Sequence, residues 1–196
     1  MIKSNRPPGR FFCIRKVQPR PLDKRNIVLV GMPSVGKSTI GVLMAKRLRY
    51  NFTDTDITIQ VENDGTLAEL IAAQGNDGML AMEERVLLGV QPCRTVIATG
   101  GSACYSARAM AHLATTGPVV YLHAPFEEVA ARVGDVTARG VVMPEGFTFR
   151  DLYDQRCGLY EKYATITVDI AGLSVEDSLV RACEAITAWM GSHPQE

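Results

Sequence analysis

The chain has 196 residues, 46% of them hydrophobic and 21% charged, with 21 basic and 21 acidic side chains. That length suits one domain with a sizeable core, because single domains usually span about 100–200 residues, and the apolar fraction excludes wholesale disorder. Zero formal net charge argues against a nucleic-acid or anionic-membrane partner, and no apolar run approaches the ~20 residues that span a bilayer.

Residues 1–24 read as a basic, proline-containing extension. Lys3, Arg6, Arg10, Arg15, Lys16, Arg20, Lys24 and Arg25 face Asp23 alone. Pro7, Pro8, Pro19 and Pro21 rule out a continuous amphipathic helix there, and Phe11-Phe12-Cys13-Ile14 is too short for the apolar core of a secretion signal. A solvated extension is preferred over a polyanion-binding arm. Residues 25–192 read as one catalytic domain in a cytoplasmic chain expected to be a monomer.

Ile27-Val28-Leu29-Val30 is a fully apolar run suited to a strand buried on both faces. It runs into Gly31-Met32-Pro33-Ser34-Val35-Gly36-Lys37-Ser38-Thr39, and Ile40, Leu43, Met44 and Leu48 follow at helical spacing. Further strands are predicted at Phe52-Thr53, Thr95–Thr99, Val119–Leu122 and Thr165–Val168. Helices are predicted over Asp56–Glu62, Leu67–Ala73, Met79–Leu88, Ala107–Leu113, Glu127–Val133, Phe149–Tyr163 and Val175–Trp189. The glycine-rich segment 134–147 reads as a mobile lid. Five alternating strands predict an α/β fold, a parallel sheet with helices on both faces, and ligands at the carboxyl ends of the strands.

Gly31-x-x-x-x-Gly36-Lys37-Ser38 is a complete Walker A loop in its proper strand–loop–helix setting. Its backbone N–H groups would curl around phosphates at a helix N-terminus. Lys37 would reach the β- and γ-phosphates, and the Ser38 hydroxyl would ligate Mg²⁺. Asp54 and Asp56 follow the second strand, where one would hold Mg²⁺ through water and the other would orient or deprotonate an acceptor hydroxyl. The competing reading is helix capping by Asp56. Gly100-Gly101-Ser102 ends the third strand and exposes backbone N–H groups, or serves only as a steric turn. Arg132, Arg139 and Arg156 flank the lid, where arginines neutralise phosphoryl charge or clamp carboxylates. The five cysteines form no C-x-x-C pair and no zinc spacing with His112, His123 or His193, so most read as reduced core residues.

From about Lys24 to Trp189 the chain resembles the shikimate kinases, which are P-loop kinases of the nucleoside-monophosphate-kinase-like class. The matching pieces are the P-loop, Phe52-Thr53-Asp54-Thr55-Asp56, Ile97-Ala98-Thr99-Gly100-Gly101, Val119-Val120-Tyr121-Leu122-His123-Ala124-Pro125 and Arg156-Cys157-Gly158-Leu159-Tyr160. The resemblance implies ATP with Mg²⁺ and transfer to a hydroxyl of a small hydroxy acid, shikimate by default. By position, Asp54 would hold Mg²⁺ through water and Asp56 would contact the acceptor hydroxyls. Gly100, Gly101 and Ser102 would line the acceptor site, and Arg156 would bind its carboxylate. Arg139 would face the phosphates, and Arg132 would pack near adenine. Three positions depart from the pattern. Met79-Leu80 replaces a Phe-Arg whose arginine clamps the acceptor carboxylate, so Leu80 forms an apolar wall of that site. Ser102 replaces a glycine, and Arg139-Gly140-Val141-Val142 replaces Arg-Pro-Leu-Leu. Two alternatives stay open: a paralogue with another acceptor such as homoserine or a sugar acid, and a weakly catalytic ATP-binding regulatory protein.

Overall fold

A computed structural model describes residues 24–91 and 93–194; all of the N-terminal extension except Lys24 lies outside them. Five strands form one parallel sheet in the order β2-β3-β1-β4-β5. They are β1 (Ile27–Val30), β2 (Asn51–Asp54), β3 (Thr95–Ala98), β4 (Val119–His123) and β5 (Ile166–Asp169). Every residue of β1 and β3 is buried. Because successive strand residues point to opposite faces, burial of all of them means both faces are covered. The edge strands β2 and β5 alternate or expose their side chains instead.

The helices are α1 (Lys37–Leu48), α2 (Thr55–Asn63), α3 (Leu67–Leu88), α4 (Ala107–Thr116), α5 (Phe126–Val133), α6 (Phe149–Tyr163) and α7 (Val175–Ser192). A 3₁₀ turn spans Ala103–Tyr105. The sequence expects two helices across 67–88; in the structure they abut at Gly75, whose φ of 71° and ψ of 179° break the helical path. Thr66 opens α3 with a capping box: its hydroxyl accepts from Glu69 N–H, and the Glu69 carboxylate accepts from Thr66 N–H at 2.8 Å. Ser174 caps α7 by accepting from Asp177 N–H.

Two apolar clusters hold the layers together. The larger joins β1, β3 and β4 to α1, α4 and α7, and includes Cys104 and Cys183. The smaller gathers Ile59 from α2, Leu70, Met79 and Met82 from α3, and Val142 from the segment before α6. Residues 134–147, the segment read as a lid, are thus anchored onto α2 and α3. Gly140 there, with φ 64°, lies so close to Leu67 and Ala68 that a Cβ would sit 2.5 Å from Leu67 Cβ.

Candidate active site

The P-loop, the turn after β2 and the turn after β3 meet at the carboxyl ends of adjacent strands. Between them and the 139–142 segment opens a cavity of about 400 Å³. Gly31 approaches the β4 backbone so closely that a Cβ would lie 2.6 Å from Leu122 O. Gly36 sits at φ 110° at the head of α1, a conformation that disfavours any side chain. Met32 and Val35 turn into the core, each 2% exposed. Pro33, Ser34, Gly36, Lys37, Ser38 and Thr39 line it.

Lys37 is buried, and its Nζ donates to Gly31 O at 2.7 Å and Met32 O at 2.9 Å. Burial disfavours its charge and lowers its pKa to about 8, against the pull of Asp56. Asp56 also lines the cavity. Burial raises its carboxyl to about 6, while Lys37 holds it down and Asp54 pushes it up. The cap of α2 is Asp54, contrary to the capping role weighed for Asp56. Asp54 Oδ1 accepts from Asp56 N–H at 3.0 Å and from Ile57 N–H at 3.4 Å, because Asp54 is the last non-helical residue and Asp56 already lies in the first turn.

Arg156 from α6 is 1% exposed and lines the cavity. It donates through Nη2 to Val142 O at 2.5 Å and through Nε to Tyr105 Oη at 3.2 Å. Its guanidinium also stands over the Tyr105 ring, 5.1 Å from the centroid. Gly101 keeps this room open, since a Cβ would lie 2.9 Å from Arg156 Nη1. Tyr160 Oη donates to Gly101 O at 2.5 Å, and Thr55 Oγ1 accepts from Gly100 N–H at 3.2 Å, which fixes the glycine turn. Arg132 lines the cavity while paired with Glu128 at 2.8 Å. Arg139 lines it too, and its Nη1 donates to Ser34 Oγ.

Leu80 is displaced from its expected place. Met79 lines the main cavity. Leu80, one residue and about 100° further round α3, faces a second cavity of about 240 Å³ with Glu83, Glu84, Ser102, Tyr105 and Ser106. Glu83 is absent from the sequence-based site, yet it is 2% exposed and sits behind the glycine turn. Its Oε2 accepts from Ser102 Oγ at 2.6 Å, and burial together with nearby Asp56 raises its carboxyl to about 7. A signal for it exists in the sequence. Glu83 follows Met79 and precedes Leu87 by four residues each, placing an acid on an apolar helix face.

Among the described residues no three His, Cys, Asp or Glu side chains cluster as a metal cage. Ser38, Asp54 and Asp56 do share a cavity of about 470 Å³ beside Arg139. A hydroxyl and carboxylates at the foot of a phosphate loop are hard oxygen donors, the set that suits Mg²⁺ completed by water and phosphate.

Comparison with known proteins agrees with this geometry. The family model described as shikimate kinase matches residues 33–187. A shikimate kinase of Clostridium botulinum is 32% identical over 170 residues, covering 85% of this chain and 98% of the relative. A solved shikimate kinase from Acinetobacter baumannii, in complex with shikimate, superposes with a TM-score of 0.75 at 28% identity, covering 88% of this chain and 96% of that one. The Aquifex aeolicus enzyme shares the fold with a TM-score of 0.71 at 24% identity, covering 86% of this chain and 98% of that one. A complete phosphate loop, an acid beside it and a buried arginine across one cavity thus coincide with a family match over most of the domain, and the chain belongs to the shikimate kinase family of small-molecule kinases.

Proposed function

We propose that the chain transfers the γ-phosphoryl group of ATP to a hydroxyl of a small carboxylate-bearing acceptor, shikimate being the family's own. The observation that carries this reading is the convergence of Lys37, Asp56 and Arg156 on one cavity. The P-loop backbone and Lys37 would hold the β- and γ-phosphates. Nucleotide would draw Nζ away from the Gly31 and Met32 carbonyls it now occupies. Ser38 and Asp54 would hold Mg²⁺, Asp54 through water, and the ion would neutralise phosphate charge.

Arg156 would receive the acceptor carboxylate with its guanidinium aimed by Tyr105 and Val142. Asp56 would accept the proton of the attacking hydroxyl. The acceptor oxygen forms the new bond to phosphorus, the bridging bond to ADP breaks, and ADP leaves with the electron pair. Preorganised charge at the transferring group supplies most of the rate enhancement in such reactions. The relative in complex with shikimate makes that compound the first acceptor to assay. ADP release that depends on an added hydroxy acid, and falls by about 10²–10³ in folded Lys37→Ala, is the expected result. Near-normal turnover in that variant would remove the P-loop from the mechanism.

A further inference from the structure

Residues 134–147 form a strap over the cavity. Among the described residues three side-chain hydrogen bonds tie it to the rest of the domain. Arg139 Nη1 donates to Ser34 Oγ at 2.9 Å, Arg156 Nη2 donates to Val142 O at 2.5 Å, and Asn76 Nδ2 donates to Met143 O at 2.7 Å. The first two involve Arg139 and Arg156, which line the cavity; Asn76 does not.

The place of Asn76 on α3 follows from the break before it. Gly75 has φ 71° and ψ 179°, and nothing lies within 4 Å of where its Cβ would be. Backbone conformation, not crowding, therefore calls for glycine there. Asn76 is the first residue beyond the break and is half-buried. Its amide reaches a carbonyl 67 positions further along the chain.

The strap is seated on α2 and α3 by contacts of two kinds. Gly140 presses against Leu67, and Val142 is 4% exposed among Ile59, Leu70, Met79 and Met82. Such apolar packing is non-directional. The Asn76 bond is directional and fixes a peptide plane. Only φ and ψ of Met143 separate the peptide carrying Met143 O from the one carrying Val142 O. Holding Met143 O therefore restrains Val142 O, and with it Arg156. That guanidinium has Nε on Tyr105 and Nη2 on Val142, which leaves Nη1 beside Gly101.

We infer that Asn76 is a positioning residue for phosphotransfer: its hold on Met143 O keeps Val142 O where it aims Arg156 at the acceptor. This rests on the phosphotransfer reading above and adds to it a residue outside the cavity.

The test is steady-state kinetics with ATP and shikimate. Asn76→Ala deletes the donor. Asn76→Asp, of the same shape, sets a carboxylate against the carbonyl, and either variant carries the comparison if the other fails to fold. Both are expected to raise KM for shikimate by about three- to tenfold, the worth of one net hydrogen bond, while KM for ATP holds. Arg156→Lys lacks the nitrogen that meets Val142 O, so in that background Asn76→Ala should leave KM for shikimate unchanged. A loss of thermal stability with no change in KM for shikimate overturns the inference, as does a KM for ATP that rises in step. A fall in KM for shikimate also overturns it and makes the strap a barrier over Arg156. So does an effect of Asn76→Ala that survives in Arg156→Lys. If shikimate is not turned over, calorimetry of shikimate with the AMP-PNP complex replaces KM, and a wild-type affinity that is undetectable, or unchanged in the variants, overturns the inference. Phosphotransfer itself fails separately, when shikimate leaves ADP release unstimulated and Lys37→Ala binds nucleotide as wild type does.

Discussion

Arg139 Nη1 donates to Ser34 Oγ at 2.9 Å, joining the segment after α5 to the P-loop across 105 positions of sequence. Ser34 holds φ 62° at the tip of that loop, so the guanidinium rests over the mouth of the phosphate cradle. Replacing this contact with phosphate oxygens would bring Arg139 onto the transferring group. Arg139→Ala is expected to lower kcat by about 10²–10³ while changing ATP affinity far less. Ser34→Ala should leave kcat nearly intact. Equal losses in both variants would make the contact a structural latch.

The two aspartates separate by what each already does. Asp54 caps α2 through two backbone N–H groups, so Asp54→Ala should cost about 1 kcal/mol of stability. Asp54→Asn keeps a capping oxygen and should raise the Mg²⁺ requirement with little change in Tm. Asp56→Asn should depress kcat by about 10²–10⁴ and leave nucleotide affinity almost unchanged. Thermal melts and titration calorimetry with Mg²⁺ and nucleotide check the Asp54 variants, and steady-state kinetics beside the same calorimetry checks Asp56→Asn.

Activity is expected to have two flanks. Asp56 must be ionised to accept a proton, and its carboxyl titrates at about 6, so kcat/KM for the acceptor falls below that pH. Lys37 must be charged, and burial lowers it to about 8, so kcat/KM for ATP falls above that pH. Asp56→Asn should abolish the acid flank. An acid flank that persists unchanged there would assign it to another group.

Glu83 makes stability depend on pH with a definite sign. Its folded carboxyl is raised to about 7, whereas the unfolded one titrates near the ordinary ~4.3. Between those values the folded state holds the extra proton, so stability falls as pH rises, by at most about 1.4 kcal/mol per unit, and levels off above about 7. Glu83→Gln removes this loss, so its Tm advantage should grow from pH 4.5 to 7. Parallel Tm curves would mean that Glu83 is not held protonated.

The fold was legible because each strand is a short apolar run flanked by turn residues, and all five lie within a residue or two of their expected bounds. Phe149–Tyr163 matches α6 end to end. The 3₁₀ turn at Ala103–Tyr105 carries no periodicity long enough to register. At the site, the P-loop and Asp56 announce themselves by local spacing. The surroundings of Arg156 depend on partners brought from 14 and 51 positions away, which no window of sequence contains. Leu80 and Met79 show the same limit: a single helical step decides which cavity a side chain enters, and residue type does not reveal it. Glu83 escaped because its place behind the glycine turn is decided by packing.

Met32 and Val35 bury their side chains in the core, so that stretch of the P-loop is fixed by packing rather than by its surface residues. The facing wall of the cavity is built in part from side chains on α3 and α6, Met79 and Arg156. Under the proposed function, substitutions at 79–83 would alter the acceptor side and leave the phosphate loop untouched. An inhibitor meant to distinguish this enzyme from other P-loop kinases should accordingly be built outward from the glycine turn rather than from the nucleotide.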